Sequence, residues 1–271
     1  MFATALLPVT PHEAAGRVGA MLAFLRKFHT ERVVLLYVAS GVQSTRARAA
    51  IDHLRDRAIE AAREEVGQAD SSYAFEAAPF TPHSEADTSA PGMRVESLLK
   101  SGSPALEITR TAWEIGASFI YLPYKPKSWI QQTLVGSTTK DVIRLTTLPV
   151  FVFRQPLGFS VDDPLRVLYP TAFGDTDRWA VPYLRYPGLG ARALTLLHVR
   201  ERAPDPTAEG RRRDFCDANL SRLADELGDA YEEVTPLQIV GHPRRTIPRV
   251  ARRENAGLLV EIGRASCRER V

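Results

Sequence analysis

Residues 133–154 read TLVGSTTKDVIRLTTLPVFVFR, and Gly136, Ser137 and Thr138 stand where a helical segment begins. A glycine turn, a helix N-terminus and a buried strand, in that order, make an anion seat. Free backbone N–H groups and the positive end of the helix dipole face the ligand together. Upstream, Pro123 and Pro126 occupy the other side of the same loop. Proline holds φ at about −65° and has no N–H, so that side can neither flex nor donate. Two readings stand. Gly136, Ser137 and Thr138 offer amides and hydroxyls to a phosphate, or Ser137 caps the helix and Gly136 only makes the turn. Lys125 and Lys127 either draw phosphate to the loop or are solvated side chains.

Other chemistry is weakly represented. PGLGARA (187–193) matches a glycine-rich dinucleotide fingerprint, but it precedes a strand and so reads as a helix-to-strand turn with Gly188 and Gly190 as breakers. There is no G-x-x-x-x-G-K-[ST] loop and no G-x-S-x-G elbow. The six histidines lack ligand spacing: His198 reads as a core or sheet-end residue and His242 as a turn residue, and no metal site is expected. No residue stands out as a general base, so no catalytic residue is assigned. Arg211–Arg213 and Arg252–Arg253 read as solvated helix faces, and Trp113 as a helix residue in the core.

Composition excludes whole classes of function. Hydrophobic content of 44% and charged content of 25% are those of a globular protein. A net charge of +3 is too small to argue for nucleic acid or an anionic membrane. Cys216 and Cys267 are too distant to suggest a disulfide framework, which favours a reducing compartment. No apolar run reaches the roughly eighteen residues of a membrane span. The short apolar start, MFATALLPVT, lacks a basic flank and reads as a first strand at 5–9, giving a soluble cytoplasmic protein.

The elements that must position Gly136 alternate in type. A helical stripe over 12–29 carries Ala14, Val18, Met21, Leu22, Leu25 and Phe28. RVVLLYV (32–38) is a strand buried on both faces, and a charged helix spans 45–66. Prolines and serines break all periodicity over 67–91, predicting a loop or insertion. Strand, helix and strand follow over 93–124, and a helix at 137–147 leads into the strand PVFVFR. Strands and helices alternating in this way imply right-handed crossovers and a mainly parallel sheet covered on both faces.

The pattern then starts again. GSPALEITRTAWEIGASFIY (102–121) aligns without a gap on GHPRRTIPRVARRENAGLLV (241–260), matching Gly102 to Gly241, Pro104 to Pro243, Ile108 to Ile247 and Arg110 to Arg249. ALTLLHVRE echoes VVLLYVAS, and VLYPTAFGDTD echoes ALLPVTPHE. The predicted organisation is a first domain at 1–155, a linker at 156–163 and an incomplete second domain at 164–263. The arginine-rich, aperiodic 264–271 reads as a non-native tail from truncation or a cloning junction.

The strand–proline turn, the LLYV and LLHV strands, the G-x-P-x-x-x-I helix starts and VGSTTKDVIRLTTLPVFVFR together resemble the universal stress protein family. The resemblance implies tandem five-stranded parallel sheets with helices on both faces, Rossmann-like and of the adenine nucleotide alpha hydrolase-like type, with the second copy truncated. It also implies an ATP site at the carboxyl ends of the strands. Its phosphate motif falls on Pro123, Pro126 and Gly136 with Ser137 and Thr138, while Pro8, Val9 and Val38 fit the positions lining adenine and ribose. The aspartate usual near adenosine is Thr10 here and Ala172 in the second copy. The implied function is a binding or signalling module in stress response with degenerate or absent ATP binding. The alternatives are an ATP-binding stress protein with slow or no hydrolysis, and an interaction domain regulating a protein partner such as a transporter. The last strand, an apolar edge, implies homodimer pairing through 149–154 or a tendency to aggregate.

Overall fold

A computed structural model describes residues 1–39, 41, 44–66, 73–82, 92–123, 136–153, 164–175, 177–186 and 189–261. The chain divides into two compact units, Met1–Asp162 and Asp163–Val271. In the first, β1 (Thr4–Pro8), α1 (Ala15–Leu25), β2 (Arg32–Ala39), α2 (Thr45–Val66), β3 (Ala74–Ala78), β4 (Gly92–Ser101), α3 (Pro104–Glu114), β5 (Phe119–Pro123), α4 (Ser137–Leu145) and β6 (Val150–Phe153) follow one another. The second has β7 (Leu165–Pro170), α5 (Asp177–Leu184), β8 (Ala191–Arg200), α6 (Pro206–Leu227), β9 (Glu233–Val240), α7 (Pro243–Arg253) and β10 (Leu258–Leu259).

All strand pairs are parallel, in the orders β3-β4-β2-β1-β5-β6 and β10-β7-β8-β9. The four strands β5-β1-β2-β4 therefore recur in order as β10-β7-β8-β9. Right-handed crossovers that first run one way and then reverse put α1 and α2 on one face of the first sheet and α3 and α4 on the other. The α3 face is closed by Ala105, Ile108, Ala112 and Val142 on Leu6, Val34, Leu36, Leu98 and Ile120. Each large apolar side chain so buried contributes roughly 1.5–3 kcal/mol. The α1 face holds an aromatic cluster that reaches the edge strand, with ring centroids 5.1 Å apart for Phe119–Phe151 and 5.7 Å for both Phe24–Phe153 and Tyr121–Phe153.

Equivalent helices end alike. Gly116 (φ 62°) after α3 and Asn255 (φ 49°) after α7 are both left-handed. Glycine and asparagine are the residues that tolerate this conformation, which turns the chain back into the next strand.

Three expectations are corrected. The first sheet has six strands, not five, because Ala74–Ala78 within the aperiodic 67–91 segment adds β3 beside β4. A buried carboxylate holds the chain after β3. Glu96, fully buried, takes Arg32 at 3.1 and 2.9 Å, lies 3.1 Å from Arg94 Nε, and accepts the Thr81 N–H at 3.2 Å. Trp113, read as core, is 82% exposed, because α3 turns Ala105, Ile108 and Ala112 to the sheet and carries Trp113 outward. The third correction concerns Ser137 and belongs to the site.

Candidate functional site

In a parallel sheet all strands end on one edge. The ends of β1, β2 and β5 therefore lie together, and α4, leading from β5 to β6, begins at that edge. Pro8 closes β1, and the Val9 N–H, one residue on, still donates to Leu36 O at 2.9 Å. Val9 is buried, and Val38 near the end of β2 packs against the α3-face core. Thr10 is exposed and its hydroxyl donates to Glu13 Oε2 at 3.3 Å. Sequence reasoning passed over Glu13. Its side chain is only 5% exposed and accepts from Arg17 at 3.3 Å, so a carboxylate sits beside Thr10, three residues from the position where the family carries aspartate. The four-residue spacing of Glu13 and Arg17 was the signal that could have found it.

Ser137 is the first residue of α4 and Gly136 is its N-cap, so Ser137 does not cap the helix as one reading had it. Among the described residues no side chain caps α4, and its first turn contains no acid. Uncapped first-turn N–H groups and the dipole leave an electropositive helix start. Gly136 has φ −59°, open to any residue, and a Cβ there would meet no described atom within 4 Å. The fold's own packing therefore does not require this glycine. Ser137 and Thr138 are exposed. Pro123 ends β5, while Pro126, Lys125, Lys127 and Trp129 lie outside the described residues.

The profile of the universal stress protein family matches residues 1–154. The chain belongs to the universal stress protein family. No curated protein matches it. Among solved structures it is similar to a universal stress protein from Archaeoglobus fulgidus DSM 4304, at 19% identity and TM-score 0.66, covering 97% of this chain and 86% of that one. It is also similar to a putative universal stress protein from Pseudomonas aeruginosa UCBPP-PA14, at 14% identity and TM-score 0.61, covering 98% and 88%. A third, a universal stress protein from Archaeoglobus fulgidus in complex with dAMP, covers 57% of this chain and all 100% of that one, at 18% identity and TM-score 0.36. At these identities the first two solved structures speak for the fold alone.

Within this universal stress protein the second unit builds the same sheet edge differently. Asp177 accepts the Tyr169 hydroxyl at 2.6 Å and the Thr171 hydroxyl at 2.7 Å, and Thr171 Oγ1 accepts the Phe173 N–H at 2.9 Å. Burial first, and then the Asp177 bond and charge, push the Tyr169 pKa far above its ordinary value, so the hydroxyl stays a donor. Phe173 is left-handed (φ 56°) and its ring stacks on His198 at 4.3 Å. His198 Nδ1 lies 2.9 Å from Thr171 O, which fixes it as a sheet-end residue. Ala172 is exposed and brings no carboxylate. Gly190, before β8, is left-handed as a helix-to-strand turn requires, while Gly188 lies outside the described residues. Arg211–Arg213, Arg252 and Arg253 are exposed. No group of residues suited to a metal occurs among the described residues, and no described helix is long and apolar enough to cross a membrane.

Proposed function

We propose that this universal stress protein is a binding and signalling module whose first unit holds an adenine nucleotide weakly, at a degenerate ATP site. The observation that carries the reading is the start of α4: a glycine N-cap that the fold does not need, uncapped and facing the carboxyl edge of the sheet. A ligand approaching the backbone is a reason for such a glycine. Against it stands Pro123 at the end of β5, where the family's cradle has glycine and a donor is lost. Pro8, Val9, Thr10 and Val38 line the adenosine side, and Gly136, Ser137 and Thr138 receive the phosphates. With half the cradle gone, binding is weak, and the signal is the occupied state itself, not turnover. The alternative, an ATP-binding protein with slow hydrolysis, draws on the same uncapped helix start. Homodimer pairing through 149–154 belongs to this proposal.

Calorimetry of the whole chain with ATP tests it. The expected Kd is on the order of 100 μM, weakened at least about ten-fold by Gly136→Asp, which sets a carboxylate on the phosphate seat. Replacing Pro123 and Pro126 together by glycine should tighten binding. Sub-micromolar affinity in the unaltered chain, or an affinity indifferent to Gly136→Asp, would refute the degenerate site.

A further inference from the structure

The two units contain a similar helix start: GSPALE in the first and GHPRRT in the second share the glycine and the proline, differ at the other four positions, and place Gly102 but not Gly241 at positive φ. In the first, a Cβ on Gly102 would stand 3.0 Å from Glu107 Oε1, so the Glu107 carboxylate curls over the beginning of α3. That carboxylate is 13% exposed and is pinned by Arg110 at 2.5 Å. The unit thus supplies its own anion to its own helix N-terminus, with an arginine to hold it.

In the second unit Gly241, Pro243 and Arg249 repeat Gly102, Pro104 and Arg110, but Thr246 stands in place of Glu107. Thr246 is 3% exposed, and its Oγ1 lies 2.7 Å from where a Cβ on Gly241 would be, so it is aimed at the helix start. Among the described residues its hydroxyl has no hydrogen-bond partner. No side chain among the described residues caps α7, and its first turn contains no acid. Among the described residues no carbonyl receives the Arg244 N–H, and Arg244, Arg245 and Arg249 make no ion pair. Arg244 and Arg245 lie in the first turn, where a cation opposes the helix dipole. Helix stability does not explain them. Moreover, α7 is the crossover from β9 to β10, which reverses the strand order, and its N-terminus lies at the carboxyl edge where open α/β sheets take ligands.

We propose that the start of α7 is an oxyanion site in which a phosphate group from solution takes the place that the Glu107 carboxylate fills in the first unit. The Thr246 hydroxyl and the Arg244 N–H donate to it, Arg249 pairs with it as Arg110 pairs with Glu107, and Arg244 and Arg245 flank it. This site is separate from the α4 seat and needs no nucleotide loop.

Amide NMR shifts of the full chain, titrated at constant ionic strength with inorganic phosphate in one arm and adenosine monophosphate in the other, test the assignment. Saturable shifts at Arg244, Arg245 and Thr246 are expected. They should vanish in Thr246→Glu, which rebuilds the internal carboxylate, and persist in Gly136→Asp, which touches only the other site. Equal affinity in both arms assigns the site to free phosphate; tighter monophosphate binding assigns it to a phosphate ester. Shifts that follow ionic strength alone, or that survive Thr246→Glu unchanged, overturn the proposal. Should circular dichroism show Thr246→Glu unfolded, the exposed Arg249→Gln carries the test: affinity should fall about ten-fold, and an unchanged affinity overturns the site.

Discussion

Glu96 is a buried charge surrounded by donors. Removing its charge while leaving Arg32 and Arg94 in place strands cations beneath the chain at Thr81. Breaking such a network from one side costs about 3–5 kcal/mol. Glu96→Gln should therefore lower the denaturation midpoint of the first unit with its slope unchanged, as read by urea unfolding. Loss of less than about 1 kcal/mol would show the network to be solvated. A second residue-level prediction concerns alkali. Burial raises the hydroxyl pKa of Tyr121, Tyr169 and Tyr231, with Asp177 adding to it at Tyr169. A raised folded-state value means that the unfolded chain ionises first. The stability these groups contribute is intact below about pH 10, the ordinary tyrosine value, and falls as pH climbs beyond it. Of the eight tyrosines, three should therefore ionise only together with loss of helix signal. Ionisation of all eight ahead of unfolding would contradict the burial. Neither Glu96 nor Tyr169 announces this in the sequence, since each acquires its partners only when distant segments meet.

Among the elements, β6 invites the most direct experiment. Phe151 and Phe153 fix one of its faces in the aromatic cluster, while Val152, on the other, is 38% exposed. As an edge strand it still has hydrogen-bonding groups to offer. Light scattering should find a dimer that Val152→Lys shifts toward monomer; a monomer at all concentrations would remove the pairing proposed for 149–154. The elements most legible in the sequence were those with one period throughout. α2 spans 45–66 as its charge-and-alanine pattern implied, and β2 followed from the run RVVLLYV. β3 was hidden because AFEAA has too few β-branched residues to signal a strand, and pairing with β4 decided it. Trp113 was misplaced because a single large apolar residue carries no phase; Ala105, Ile108 and Ala112 set the buried face of α3. At the site, the family resemblance set the expectations at Gly136 and Pro8, whereas Glu13 lies outside its motif and showed only in its four-residue spacing to Arg17.

For the whole chain, the consequence of Pro236 in β9 reaches furthest. The register between β8 and β9 runs unbroken through Leu196–Pro236, so the missing N–H of Pro236 falls on the free side of the strand. Two β6 strands meeting about a two-fold axis form an isologous contact, which is satisfied once and closes. A β6 strand meeting β9 of another copy would be heterologous: each addition would leave a fresh acceptor and donor at the ends, and the chain of copies would grow into a filament. Pro236 denies that second kind of contact part of its ladder. If β6 pairs as proposed, one proline on an outer strand stands between closure at two copies and open-ended growth.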